Sequence, residues 1–228
     1  MREIFHRELE ELGDHLVEMG KQVAAAIAKA GQAMREADLQ LAEEVIDDDN
    51  RIDDLEDHIE QMSLIMIARQ QPVATDLRLV VSAIRLSATL ERMGDLARHV
   101  ALVARSRYPQ QASSGPMFDT LTEMSLVAED IATMLVDLMV NHDLELVHRI
   151  ATRDDSLDAL LRQTFELLLV QNVELSRQEV VDAVLLSRFL ERLGDHCVSG
   201  AKRVGYLVTG DLDASFLLRD DEPDSRHS

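Results

Sequence analysis

Apolar residues recur along this chain three or four positions apart through almost its whole length, and the alternation that marks a strand is absent over any useful stretch. The first such run predicts a helix from about Glu3 to Arg35, with Phe5, Leu9, Leu12, Leu16, Met19, Val23 and Ile27 on its seam. Asp38 is placed to cap a second helix, which continues through Val45, Ile52, Leu55, Ile59 and Met62 to about Arg69. Pro72, preceded by Gln70 and Gln71, breaks the pattern, because proline has no N–H to give and restricts the residue before it. A third helix starts at Thr75 or Asp76 and ends near Tyr108. Helices resume from Met117 to Val140, from Asp143 to about Gln171 and from Ser176 to about Thr209, the last opening on a capping box of Ser176 with Glu179.

The breakers divide the chain. YPQQASSGP, at 108–116, has the composition of a linker, and the acidic segment ending DDEPDSRHS reads as a loose tail. The two sides of the linker repeat each other. Asp38, Leu39, Leu41, Asp49, Asp53 and Leu55 recur 105 residues later as Asp143, Leu144, Leu146, Asp154, Asp158 and Leu160. LERMGD at 90–95 recurs as LERLGD at 190–195, an offset of 100, so the second copy is five residues shorter around its last turn. Three amphipathic helices with short connections bury their stripes against one another, which makes the expected fold all-α, a tandem repeat of two three-helix bundles. The expected divisions are 1–108, a linker at 109–116, 117–210 and a tail at 211–228.

Charge narrows the function. A net charge of −20 argues against nucleic acid and against an anionic lipid surface, both of which need clustered Lys and Arg. No apolar run reaches the roughly 18–20 residues that span a bilayer. The charged N-terminal stretch MREIFHRELEELGDHL does not read as an export signal, so a cytoplasmic location is expected. A single cysteine, Cys197, excludes an internal disulfide and Cys-x-x-Cys metal or redox chemistry.

Acidic pairs spaced by four carry the candidate chemistry: Asp49/Asp53 and Glu91/Asp95, then Asp154/Asp158 and Glu191/Asp195. Residues four apart share a helix face, where like charges repel by a few tenths of a kcal/mol. Across a hairpin, residues equidistant from the turn face each other. Asp53 with Glu91 and Asp49 with Asp95 both average to position 72, the proline of the turn; Asp158 with Glu191 and Asp154 with Asp195 both average to 174.5. Four carboxylates therefore converge in each bundle. On the third helix Glu91 and Asp95 lie opposite the stripe of Leu86, Leu90, Met93, Ala97, Val100 and Ala104, on a side shared with Leu77, Ile84 and Leu102, where an unpartnered carboxylate is costly. A bound cation relieves both problems, and carboxylate oxygens suit magnesium, manganese, calcium or ferric iron, with zinc less favoured. Gly94 and Gly194, each costing about 1 kcal/mol in a helix, point to a crowded site or close backbone approach. The competing reading is solvated acidic surface, with Arg92 and Arg192 neutralising their neighbours as ordinary salt bridges.

Other residues read more plainly. Position 199 is serine where the first copy has His99, Glu145 and His148 form a single Glu-x-x-His where di-iron bundles need two, and the methionines read as core filling. Cys197 shares the apolar stripe of Leu190 and Leu193, which predicts burial.

ATDLR at 74–78, LERMGD, LERLGD and YLVTGD at 206–211, set on a tandem three-helix repeat, resemble the PhoU family over about residues 3–212. The resemblance implies a cytoplasmic negative regulator of the phosphate-starvation regulon and of phosphate uptake. Such a protein is an adaptor, not an enzyme, linking the ATPase subunit of a phosphate ABC transporter to a sensor histidine kinase and touching the membrane only through the transporter. It also implies a homodimer or larger assembly, and metal clusters held by Asp49, Asp53, Glu91, Asp95, Asp154, Asp158, Glu191 and Asp195. The metal class is divalent or ferric: iron, manganese, magnesium or zinc. Glu56 and Glu60 extend the first acidic ladder but align with Leu161 and Phe165, so the two sites are expected to differ. With no basic pocket evident, phosphate status is expected to arrive through the transporter. A metal-dependent carboxylate-bundle enzyme and a purely structural scaffold are the alternatives.

Overall fold

The structure, a computed structural model, describes residues 2–170 and 174–210. Six helices account for it: α1 (Arg2–Glu36), α2 (Leu39–Gln70), α3 (Ala74–Arg107), α4 (Gly115–Asn141), α5 (Glu145–Leu169) and α6 (Arg177–Thr209). Their ends follow the local chemistry. Asp38 accepts a hydrogen bond from Leu41 N at 3.0 Å, and Ser176 and Glu179 form the reciprocal capping box. Gln71, ahead of the proline, takes a left-handed conformation and its N–H closes α2 on Ile67 O. Three starts differ from expectation, one of them that of α5, which begins at Glu145 and not at Asp143. α3 begins at Ala74, with Val73 in the capping position. α4 begins at Gly115, because Pro116 in its first turn has a fixed φ that suits a helix start. The expected linker is therefore shorter, and its Ala112 and Ser113 are buried. Gln171 and the tail at 211–228 lie outside the described residues.

Within α1–α3 every helix packs on the other two, and the same holds within α4–α6. The bundles are not separate bodies, since α3 also packs on α6 and α1 on α4, and one continuous apolar core runs through both. Met19, Ile59, Leu86, Leu90 and Met93 from the first bundle and Met124, Ile131, Leu135 and Leu138 from the second are fully buried. Each contributes about 1.5–3 kcal/mol by leaving water. The buried methionines fill this core as expected.

Across the seam His99 stacks on Phe189, with ring centroids 5.1 Å apart, Leu86 lies over Gly200, and Arg107 pairs with Asp182. Rising numbers on α3 thus meet falling numbers on α6, so these helices are antiparallel. The α2–α3 and α5–α6 turns consequently project at opposite ends of the molecule.

Candidate metal centres

Each set of four acids is carried by a hairpin, α2–α3 in the first bundle and α5–α6 in the second. The small side of the glycine in each Leu-Glu-Arg-x-Gly-Asp phrase faces the partner helix. A Cβ on Gly94 would meet Ile52 Cδ1 at 3.0 Å, with Asp49 Oδ1 at 3.6 Å. One on Gly194 would run into the Asp154 carboxylate and Leu157. Both glycines therefore mark crowded sites. In the second bundle the absent side chain is what lets Asp154 lie over α6.

In the first set, Asp49 is buried, Glu91 and Asp95 are half-buried and Asp53 is exposed. The mirror pairing predicted for Asp49 and Asp95 is realised through a third residue. Arg98 brings Nε within 2.6 Å of Asp49 Oδ2 and donates from Nη2 to Asp95 Oδ1 at 2.8 Å, so one guanidinium joins α2 to α3. Arg92, largely exposed, reaches Glu91 and the other oxygen of Asp95 at 3.4 Å. Burial raises the Asp49 pKa, Arg98 opposes it, and the charges of Asp53 and Asp95 add to the rise. At Asp95 burial also pushes upward, but the Arg98 hydrogen bond and the charges of Arg98, His99 and Arg92 outweigh it and hold the pKa below the usual range.

The second set repeats the carboxylates without the arginine. Position 198, the repeat counterpart of Arg98, is Val198, which packs against the core. Asp154 is pushed up to about 7, by burial first and then by the negative charges of Asp195, Asp158, Asp155 and Glu191. Three of these, Asp195, Asp158 and Glu191, are the acids that the hairpin symmetry groups with Asp154, so the predicted set is close enough for its charges to repel. Glu191 is raised by burial, lowered by Arg188 and raised again by Asp195 and Asp158. Arg188 donates to Glu191 Oε1 at 3.2 Å, while Oε2 is buried without a hydrogen-bond partner. Uncompensated charge and an orphaned buried oxygen are what a cation site of hard oxygen ligands requires, so the second set fits a metal. The first set fits less well, because Arg98 already occupies its carboxylates.

Among the described residues, the place where three acidic side chains bring oxygens within 4.8 Å of one another is Glu56, Asp57 and Glu60, not the predicted sets. All three lie on one helix, Asp57 and Glu60 are exposed, and Glu56 is raised by burial and by Glu60, Asp57 and Asp53. The Glu56–Glu60 spacing made this ladder visible in the sequence. Arg98 lies three residues beyond the duplicated phrase and is not among the expected site residues; its signal in the sequence is the contrast with Val198 at the repeat-related position. His99 stacks at the seam, and Cys197 is buried with its thiol pKa raised by burial and by Asp154, so neither behaves as a free reactive group.

Comparison with known proteins bears on the whole arrangement. The PhoU domain matches twice, at residues 16–104 and 121–204. A phosphate-specific transport system accessory protein, PhoU homolog 2 of Mycobacterium tuberculosis, is 40% identical over 92% of this chain and 99% of its own length. PhoU homolog 1 of Mycobacterium leprae is 38% identical over 99% of this chain and 100% of its own. The crystal structure of PhoU from Pseudomonas aeruginosa superposes with a TM-score of 0.84 at 30% identity, covering 91% of this chain and all of that one. The doubled Leu-Glu-Arg-x-Gly-Asp phrase, the paired three-helix bundles and the two-fold domain match agree, and the chain belongs to the PhoU family.

Proposed function

We propose that this chain is a non-enzymatic accessory protein of a phosphate transport system, a cytoplasmic negative regulator that restrains phosphate-starvation genes when phosphate is plentiful. It acts as a helical adaptor between the transporter's ATPase subunit and a sensor histidine kinase, and works as a homodimer. The observation that carries this reading is the likeness to relatives named phosphate-specific transport system accessory proteins, which spans 92% or more of the chain.

The shape and charge support an adaptor. Val73 and Leu77 are exposed at one end of the molecule, and Leu169, Val170 and Val181 at the other, giving two separated apolar surfaces for protein partners. No helix among the described residues is long and apolar enough to cross a membrane, consistent with reaching it through a transporter. A chain of net charge −20 repels a free phosphate anion, so phosphate status reaches it through the transporter's conformation.

The metal reading belongs to the same proposal. Asp154, Asp158, Glu191 and Asp195 would hold a divalent or ferric ion, and when bound it supplies the positive charge that these four acids lack. With a cation between them these residues would join α5 to α6, and among the described residues no acid and base are arranged around a substrate pocket, so the reading is structural and not catalytic.

Transcription of phosphate-starvation genes in phosphate-rich medium, compared between the source bacterium and a strain lacking this chain, tests the regulatory role. Derepression on deletion, reversed by the wild-type gene, is expected, together with co-purification of the transporter's ATPase subunit. Unchanged repression with no such co-purification would overturn it.

A further inference from the structure

Arg98 gives the two halves of the repeat different chemistry. Its guanidinium lies between Asp49 on α2 and Asp95 on α3, at 2.6 and 2.8 Å, where a cation shared by those two helices would have to sit. Asp95 has both oxygens engaged, since Arg92 approaches the second at 3.4 Å. In the other half Val198 holds the equivalent position, and Arg188 meets only one oxygen of Glu191 at the outer side, leaving the other buried and without a partner.

These are not two versions of one site. Arginine stays protonated at any physiological pH, so it can be removed from its carboxylates only by being displaced. Displacement breaks the charge-assisted hydrogen bond to Asp95 and the close ion pair with Asp49, and leaves a partly buried guanidinium without a counter-ion. The second set presents an incoming cation with no such competitor.

We propose, resting on the metal reading above, that Arg98 is a built-in counter-ion that permanently closes the first site, so that the α5–α6 hairpin alone loads metal and is the metal-responsive half of the molecule. The α2–α3 hairpin is held by its own arginine whether or not metal is available.

The test uses the full chain, stripped with chelator, reloaded with manganese(II), desalted and analysed for metal per chain. It is run on the wild type and on Arg98→Val, which copies the second repeat, on Val198→Arg, which copies the first, and on Asp154→Asn combined with Glu191→Gln. Arg98→Val is expected to bind about twice the manganese of the wild type, and the other two variants little or none. Hydrogen exchange on the wild type is expected to show manganese-dependent protection in α5 and α6 and none in α2 and α3. This readout does not depend on any variant folding well.

If the wild type loads both hairpins, so that the Asp154→Asn, Glu191→Gln chain keeps about half the metal, Arg98 does not close the first site; the proposal falls and the metal reading stands. If neither the wild type nor Arg98→Val binds manganese(II), zinc(II) or iron, the metal reading falls and the proposal with it.

Discussion

Arg107 on α3 and Asp182 on α6 form an ion pair at 2.9 Å across the seam between the bundles, with the Asp182 side chain only 5% exposed. Gln178 donates to the other Asp182 oxygen at 2.9 Å. The repeat-related positions are Leu207 and Ser82, which cannot pair, so the duplication did not copy this contact. It distinguishes one side of the seam from the other. Removing Arg107 leaves a buried carboxylate short of its cation, a costly state. Arg107→Ala is expected to lower stability by about 2–3 kcal/mol in urea unfolding, and Arg107→Ala with Asp182→Ala by less than the sum of the single changes. Additive losses would mean that the pair contributes nothing.

Asp154 should make the metal-free protein less stable as pH rises. Its pKa is raised from 3.8 to about 7 in the folded chain, so between these values the folded state keeps a proton that the unfolded chain has released. The stabilisation is fully present below the lower value and is lost as pH passes the upper one. The unfolding free energy from urea titrations in chelator is expected to fall between about pH 4 and pH 7, by up to roughly 1.4 kcal/mol per pH unit. Asp154→Asn should flatten this part of the profile, and an unchanged slope would remove Asp154 as its source.

Gly194 and Gly94 should respond differently to alanine. Alanine favours a helix by about 1 kcal/mol, but at position 194 its Cβ collides with Asp154 and Leu157, whereas at 94 the first contact is the movable end of Ile52 at 3.0 Å. Overpacking of the first kind costs about 1–3 kcal/mol. Gly194→Ala is expected to be net destabilising and to weaken manganese retention by displacing Asp154, with Gly94→Ala near neutral. Thermal melts of the two variants decide it.

Cys197 should label only when α6 opens. It is fully buried, and burial pushes its thiol well above the ordinary range, so both access and thiolate are lacking. Alkylation by iodoacetamide is expected to be slow in native buffer and fast in denaturant. Rapid native labelling would show that α6 detaches without global unfolding.

Much of this was legible beforehand. Six helices, the Asp38 cap and the Ser176–Glu179 capping box followed from periodicity and local hydrogen-bonding preference, which act within a few residues. The mirror spacing of the acids was legible because two antiparallel helices rise equally on either side of a turn. The start of α4 at Gly115 was not, since the serines and glycine before Pro116 resemble a loop until the proline's fixed φ is set in a helix. Arg92 was the obvious neutralising partner by adjacency, yet Arg98, one turn beyond Asp95, is the residue that bridges the helices.

The sequence by itself determined the helices, their duplication and the faces on which the carboxylates lie, because these depend on the regular rise and turn of one element. Tertiary structure decided that α3 runs against α6 so that the hairpin ends point apart, that one core serves both bundles, and that Arg98 bridges two carboxylates of one acidic set while the other set has valine at that position. Those outcomes depend on which side chains meet across helices. A guanidinium that finds two carboxylates is stable there, and the valine in its place leaves their charge unanswered.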